Sequence, residues 1–103
     1  MEFAGRRRRA GRPATLPVRG EIDLDAIDGL DAAFDRVRAD HPSVVRVDLS
    51  DVEFIDSTGL NAFVRWNQEG QRTGFHVVFV GATPATRRLL HLTRLDELLT
   101  IER

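Results

Sequence analysis

The sequence predicts a single α/β domain built on a mixed, largely parallel sheet of about four strands with flanking helices. Three observations carry that expectation. Short apolar segments that read as strands alternate with longer segments whose apolar residues recur at helical spacing, the pattern of βα units. Proline and glycine stand where one segment hands over to the next. The chain has 103 residues, 42% hydrophobic and 30% charged, which is the composition and the room of one globular domain.

Residues 1–13, MEFAGRRRRAGRP, follow neither period and are broken by glycine and proline, so they read as a flexible arginine-rich arm ahead of a domain at 14–103. Leu16, Val18, Gly20 and Ile22 alternate with polar or turn residues, the signature of a half-buried strand. Asp23 or Asp25 then caps a helix in which Leu24, Ile27, Leu30, Phe34 and Val37 form one apolar stripe. Asp28, Asp31, Asp35 and Arg38 are placed on its water-facing side, and His41-Pro42 ends it. Val44 to Leu49 is a strand rich in β-branched residues, followed by DVEFIDSTGL and a helix to about Glu69. Gly70 and Gly74 bracket a turn, and the continuous apolar run Phe75–Val80 reads as a strand covered on both faces. Thr83-Pro84 opens a further helix, threonine as N-cap and proline in the first turn, with Leu89, Leu90 and Leu92 on its apolar side. Leu95, Leu98, Leu99 and Ile101 close the chain as a short helix or terminal strand.

Composition excludes several functions. With no cysteine there is no disulfide framework, thiolate metal site or cysteine nucleophile. No apolar run approaches the roughly 20 residues that cross a bilayer, and no apolar stretch follows the first arginines as in a signal peptide, so a cytoplasmic protein is expected. The net charge of −1 is unevenly spread: residues 1–12 hold five arginines against one glutamate, a net of +4, and residues 13–103 hold ten arginines against 15 acids, a net of −5. An acidic body argues against DNA as the ligand of the fold, leaving nucleic acid only as a contact of the arm. His41, His76 and His91 are scattered, so neither metal nor cofactor is expected. No G-x-S-x-G motif or phosphate-binding glycine loop is present, and an enzyme is not expected.

The chemistry concentrates in Asp56-Ser57-Thr58-Gly59, where a strand or loop passes into a helix and Ser57 or Thr58 stands at or next to the N-cap. A helix start carries unpaired N–H groups and partial positive charge, so a serine there is a candidate phosphoacceptor; the same pair also reads as a plain cap. Gly59 would leave the first turn bare, open to a close approach by a partner.

Four blocks resemble the STAS family, the domain of bacterial anti-sigma factor antagonists. Gly20-Glu21-Ile22-Asp23 looks like the family's strand-to-helix entry, and Val45–Leu60, ending in D-S-T-G-L, like its signature strand and phosphorylation loop. Phe79–Pro84 and Arg87–Thr93 look like its next strand with helix entry and its last long helix. The resemblance runs from Leu16 to Ile101. It implies an antagonist, monomeric or weakly dimeric, whose unphosphorylated form binds an anti-sigma factor serine kinase and displaces the sigma factor. Phosphorylation of Ser57 would reverse this. It further implies that Asp23, Asp56, Ser57, Thr58, Gly59 and Leu60 meet the partner; for Asp23 a plain N-cap, and for Thr58 a second capping hydroxyl, remain the alternatives. Two departures stand out. RRRRAGRP occupies the place of the family's first edge strand, and Arg94 stands where the family usually has glycine. A scaffold module of a stress-sensing assembly is the alternative role.

Overall fold

The structure, a computed structural model, describes residues 11–102. The expected arm therefore falls outside the described residues for its first ten positions, and Gly11, Arg12 and Pro13 are exposed. The elements are β1 (Ala14–Ile22), α1 (Leu24–Arg38), β2 (Val44–Ile55), α2 (Ser57–Thr73), β3 (His76–Val80), α3 (Pro84–Leu92), a 3-10 turn (Leu95–Glu97) and β4 (Thr100–Ile101). The four strands lie in the order β1-β2-β3-β4 and every pairing is parallel.

A parallel sheet that grows in one direction through crossovers of one hand carries its connecting helices on one face. The burial pattern agrees. Leu16, Val18, Val45, Val47, Leu49, Val77 and Phe79 point into the core, while their alternates Thr15, Pro17 and His76 are exposed and Arg46, Asp48, Val78 and Val80 half-buried. The expectation that β3 is covered on both faces is thus corrected: its apolar run packs on one side and shares a bare sheet face on the other, where Arg46 pairs with Glu102 at 2.8 Å. At the edge of the described sheet, β1 carries Pro17 and two irregularities of register, both of which discourage pairing with a further strand.

Under the helices the core is aromatic. Phe34 stacks on Trp66 with centroids 4.8 Å apart and planes 3° from parallel, and Phe63 contacts both Trp66 and Phe79. Two residues expected to face water on α1 instead serve the α1–α2 seam. Asp31 accepts from the Trp66 Nε1–H at 2.8 Å, satisfying a donor that burial would otherwise strand, and from Arg65. Arg38 lies over the Phe75 ring and pairs with Glu69, whose carboxyl is held below its ordinary range first by Arg72 and then by Arg38. Two leucines depart from their expected stripes: Leu24 is 72% exposed and Leu92 64% exposed. The helix expected to stop near Glu69 runs to Thr73. Gly70 lies inside it, at a place where a Cβ would meet the Phe75 carbonyl oxygen at 2.5 Å, and Gly74 alone makes the turn with φ of 100°.

α3 begins as expected, with the Thr83 hydroxyl accepting from the Thr86 N–H and Pro84 in the first turn. Two residues past its end at Leu92, Arg94 adopts the left-handed conformation with φ of 64°. Glycine is the usual residue in that place after a helix, because a Cβ there crowds the backbone. Arg94→Gly is expected to stabilise the fold by about 1 kcal/mol, raising the thermal midpoint by roughly 4 °C in a melting experiment. The Arg94–Glu97 pair lost with it is exposed and contributes little. A lower midpoint would show that no strain resides there.

Candidate functional site

The carboxyl ends of parallel strands all face one way, and sites in such sheets gather there. At that end β1 hands over to α1 through Asp23, and β2 to α2 through Asp56. Ile22 and Ile55 sit side by side in the pairing, and the Asp56 N–H donates to the Ile22 carbonyl at 3.2 Å, so the two junctions are tied together.

β2 reaches this end by bulging twice. Between Pro17 and Arg19 on β1 the pairing on β2 advances from Asp48 to Asp51, and between Gly20 and Glu21 it advances from Val52 to Phe54. Each step places one extra residue on β2, and such bulges turn side chains to a new heading. Val52 and Ile55 both point inward, while Glu53 and Phe54 point out. Before the first bulge, the Asp48 carboxylate accepts from the Ser50 N–H at 3.0 Å and from its hydroxyl at 2.8 Å, and these bonds hold it below the ordinary carboxylate range.

The N-cap of α2 is Asp56, not Ser57 or Thr58. Its Oδ1 accepts from the Thr58 N–H at 2.9 Å and the Gly59 N–H at 3.2 Å. Both hydroxyl residues are thereby released from capping: Ser57 is the first helical residue and exposed, and Thr58 is half-buried. The same geometry revises the electrostatics. Two of the N–H groups that a phosphate on Ser57 would seek are already taken by a carboxylate, so the helix start offers that phosphate less than an uncapped one.

Gly59 and Leu60, expected at the partner surface, are buried in the free domain. A Cβ at Gly59 would stand 2.8 Å from the Ile22 carbonyl oxygen, 2.7 Å from the Ile22 Cγ2 and 2.8 Å from the Ile55 Cγ1. Its bareness admits the domain's own β1. Leu60 anchors the first turn from beneath, 7% exposed. Asp23 occupies the N-cap position of α1, yet its carboxylate makes no capping bond and stays half-buried beside the junction. Thr58, Gly59 and Leu60 thus hold the turn that presents Ser57, while Asp23 and Asp56 flank it. Sequence reasoning missed Phe54 as a surface residue. The adjacent apolar pair Phe54-Ile55 was the available signal, since on a strand only one of two neighbours can face the core.

This geometry has close counterparts. The chain matches the family model described as "Mlab, STAS domain" over residues 6–100. It is 41% identical over 85 residues to the anti-sigma-F factor antagonist RsfB of Mycobacterium tuberculosis, covering 82% of this chain and 68% of that protein. The crystal structure of an anti-sigma factor antagonist from Mycobacterium paratuberculosis superposes with a TM-score of 0.72 at 40% identity, over 86% of this chain and 75% of the other. The anti-sigma factor antagonist SpoIIAA in its unphosphorylated form has the same fold, with a TM-score of 0.72 at 14% identity over 89% of this chain and 81% of its own. A family match across nearly the whole described fold, with RsfB as a relative, makes the assignment: the chain belongs to the STAS domain family.

Proposed function

We propose that this protein is an anti-sigma factor antagonist that works by partner switching. Its unphosphorylated form binds an anti-sigma factor that is itself a serine kinase and so frees the sigma factor. Transfer of the γ-phosphoryl group of ATP to the Ser57 hydroxyl oxygen dissolves the complex. The observation that carries this reading is the division of labour at α2: Asp56 caps the helix, which leaves the exposed Ser57 hydroxyl available for chemistry. The names of the relatives, anti-sigma factor antagonists, supply the partner class. In this reading Asp23 and Asp56 face the partner with Ser57, and Thr58, Gly59 and Leu60 position them. The protein is a switched binding module rather than an enzyme, a monomer or weak dimer acting in the cytoplasm; among the described residues no helix is long and apolar enough to cross a membrane.

The test uses the purified cognate anti-sigma factor kinase with ATP. Mass spectrometry is expected to find one phosphate on the wild type, on the peptide holding Ser57, and none on Ser57→Ala. Phosphate retained by the alanine variant would move the site elsewhere.

A further inference from the structure

Among the described residues four large apolar side chains stand exposed: Leu24, Phe54, Leu92 and Leu98. Two of them, Leu24 at 72% and Phe54 at 53%, stand at the end of the sheet that carries Ser57. Phe54 is turned outward by the second bulge and lies opposite Glu21 in the β1–β2 pairing; Leu24 is the first residue of α1, two residues past Ile22, whose carbonyl binds the Asp56 N–H. Exposing a phenylalanine and a leucine to water is unfavourable for each, and a partner that covers them relieves it. Both stand at one end of the sheet among polar residues, as the apolar members of an interaction surface do.

The setting gives the partner its charge. Segments 19–25 and 51–56 contain Glu21, Asp23, Asp25, Asp51, Glu53 and Asp56, six of the 15 acids of residues 13–103, against Arg19 alone. Asp23 makes no capping bond, so its carboxylate is unspent. We infer that Leu24 and Phe54 are the apolar anchors of the docking surface around Ser57, and that they seat in an apolar pocket of the anti-sigma factor whose rim is basic. The inference rests on the antagonist reading and adds to it the residues that hold the partner and the character of its surface.

A basic rim is compatible with release by phosphate because the two act at different stages. Opposite charge across the rim raises the rate of encounter. Once docked, Ser57 faces the nucleotide that phosphorylates it. A phosphate there must shed its water in the closed interface and face the phosphates of the bound nucleotide, so it acts on the lifetime of the complex.

The experiment measures binding to the same purified anti-sigma factor kinase in the presence of ADP, by calorimetry or surface resonance. Leu24→Ala and Phe54→Ala are each expected to weaken binding about 30-fold, as central interface anchors do. Leu92→Ala, an equally exposed leucine on α3, is expected to leave it unchanged. Both anchors being exposed, melting temperatures should stay at the wild-type value. Glu21→Lys with Glu53→Lys is expected to slow association about tenfold at low salt and to flatten its salt dependence. Anchor variants that bind like wild type would overturn the docking surface and leave the antagonist reading standing. Faster association by the lysine variant would overturn the basic rim. Absence of binding by the wild type would overturn the antagonist reading, and the docking surface with it.

Discussion

Ser57→Asp is expected to weaken the complex with the anti-sigma factor about a hundredfold, a loss of about 3 kcal/mol, while leaving the melting temperature within a few degrees of wild type. Full phosphorylation, adding about −1.5 to −2 charges rather than one, should approach a thousandfold. The separation of the two effects arises from the site. Ser57 is exposed at the first position of α2, so the new carboxylate meets water in the free domain. The residue before it is Asp56, whose Oδ1 already receives the Thr58 and Gly59 N–H groups. The helix dipole, worth about 0.3–1 kcal/mol to an anion, is thus partly used, and its remaining attraction roughly offsets repulsion by Asp56. Across an interface built for a neutral hydroxyl the balance differs, because the charge loses its water. Binding of Ser57→Asp at wild-type affinity would show that charge is not the lever. A parallel fall in melting temperature would show that the domain, rather than the complex, had been damaged.

Gly59→Ala and Gly29→Ala, the same substitution in two helices, are expected to move stability in opposite directions. At Gly59 the added methyl would lie 2.8 Å from a backbone carbonyl oxygen of β1 and equally close to Ile55, with the backbone unable to step aside without opening the junction. Overpacking of this kind costs typically 1–3 kcal/mol, so a net destabilisation of about 2 kcal/mol and a fall of roughly 10 °C in thermal midpoint are expected. Gly29, exposed on α1, has nothing within 4 Å of where its Cβ would be. There alanine removes the helix penalty of glycine, about 0.5–1 kcal/mol, and the midpoint should rise by a few degrees. Denaturant titration of both variants checks the pair. A rise at Gly59 would mean that the β1–α2 contact yields easily, and that the first turn of α2 is less firmly seated than its packing implies.

The strands and helices were legible because each carries its own period, and the Thr83-Pro84 helix start was legible because both residues have a single favoured use there. The Asp56 cap was not fixed by sequence, since aspartate, serine and threonine in a row are all competent caps. Geometry decided among them: the Asp56 N–H is tied to Ile22, which holds that residue at the junction. Likewise Asp31 and Arg38 look like solvent-facing charges on a helical wheel. Only the tertiary arrangement of α1 against α2 supplies Trp66 and Glu69 as their partners. The exposure of Leu24 and Phe54 was hidden for two further reasons. Leu24 continues the apolar stripe of α1 by spacing, but the first turn finds no partner. Phe54 depends on a bulge: the pair Phe54-Ile55 says that one of the two faces out, but only the shifted register decides which.

The order of the sheet bears also on how the chain comes to be folded. Each strand pairs with the strand made before it, β2 on β1, β3 on β2 and β4 on β3. No strand must be inserted between two already joined, and each loop to be closed spans one helix rather than the whole domain. The chain can therefore assemble in the order in which a ribosome releases it. Once β2 and the first turns of α2 have emerged, the Ile22–Ile55 seam, the Asp56 cap and the Ser57 hydroxyl are in place. The later elements, β3 to β4, complete the core beneath a junction already built.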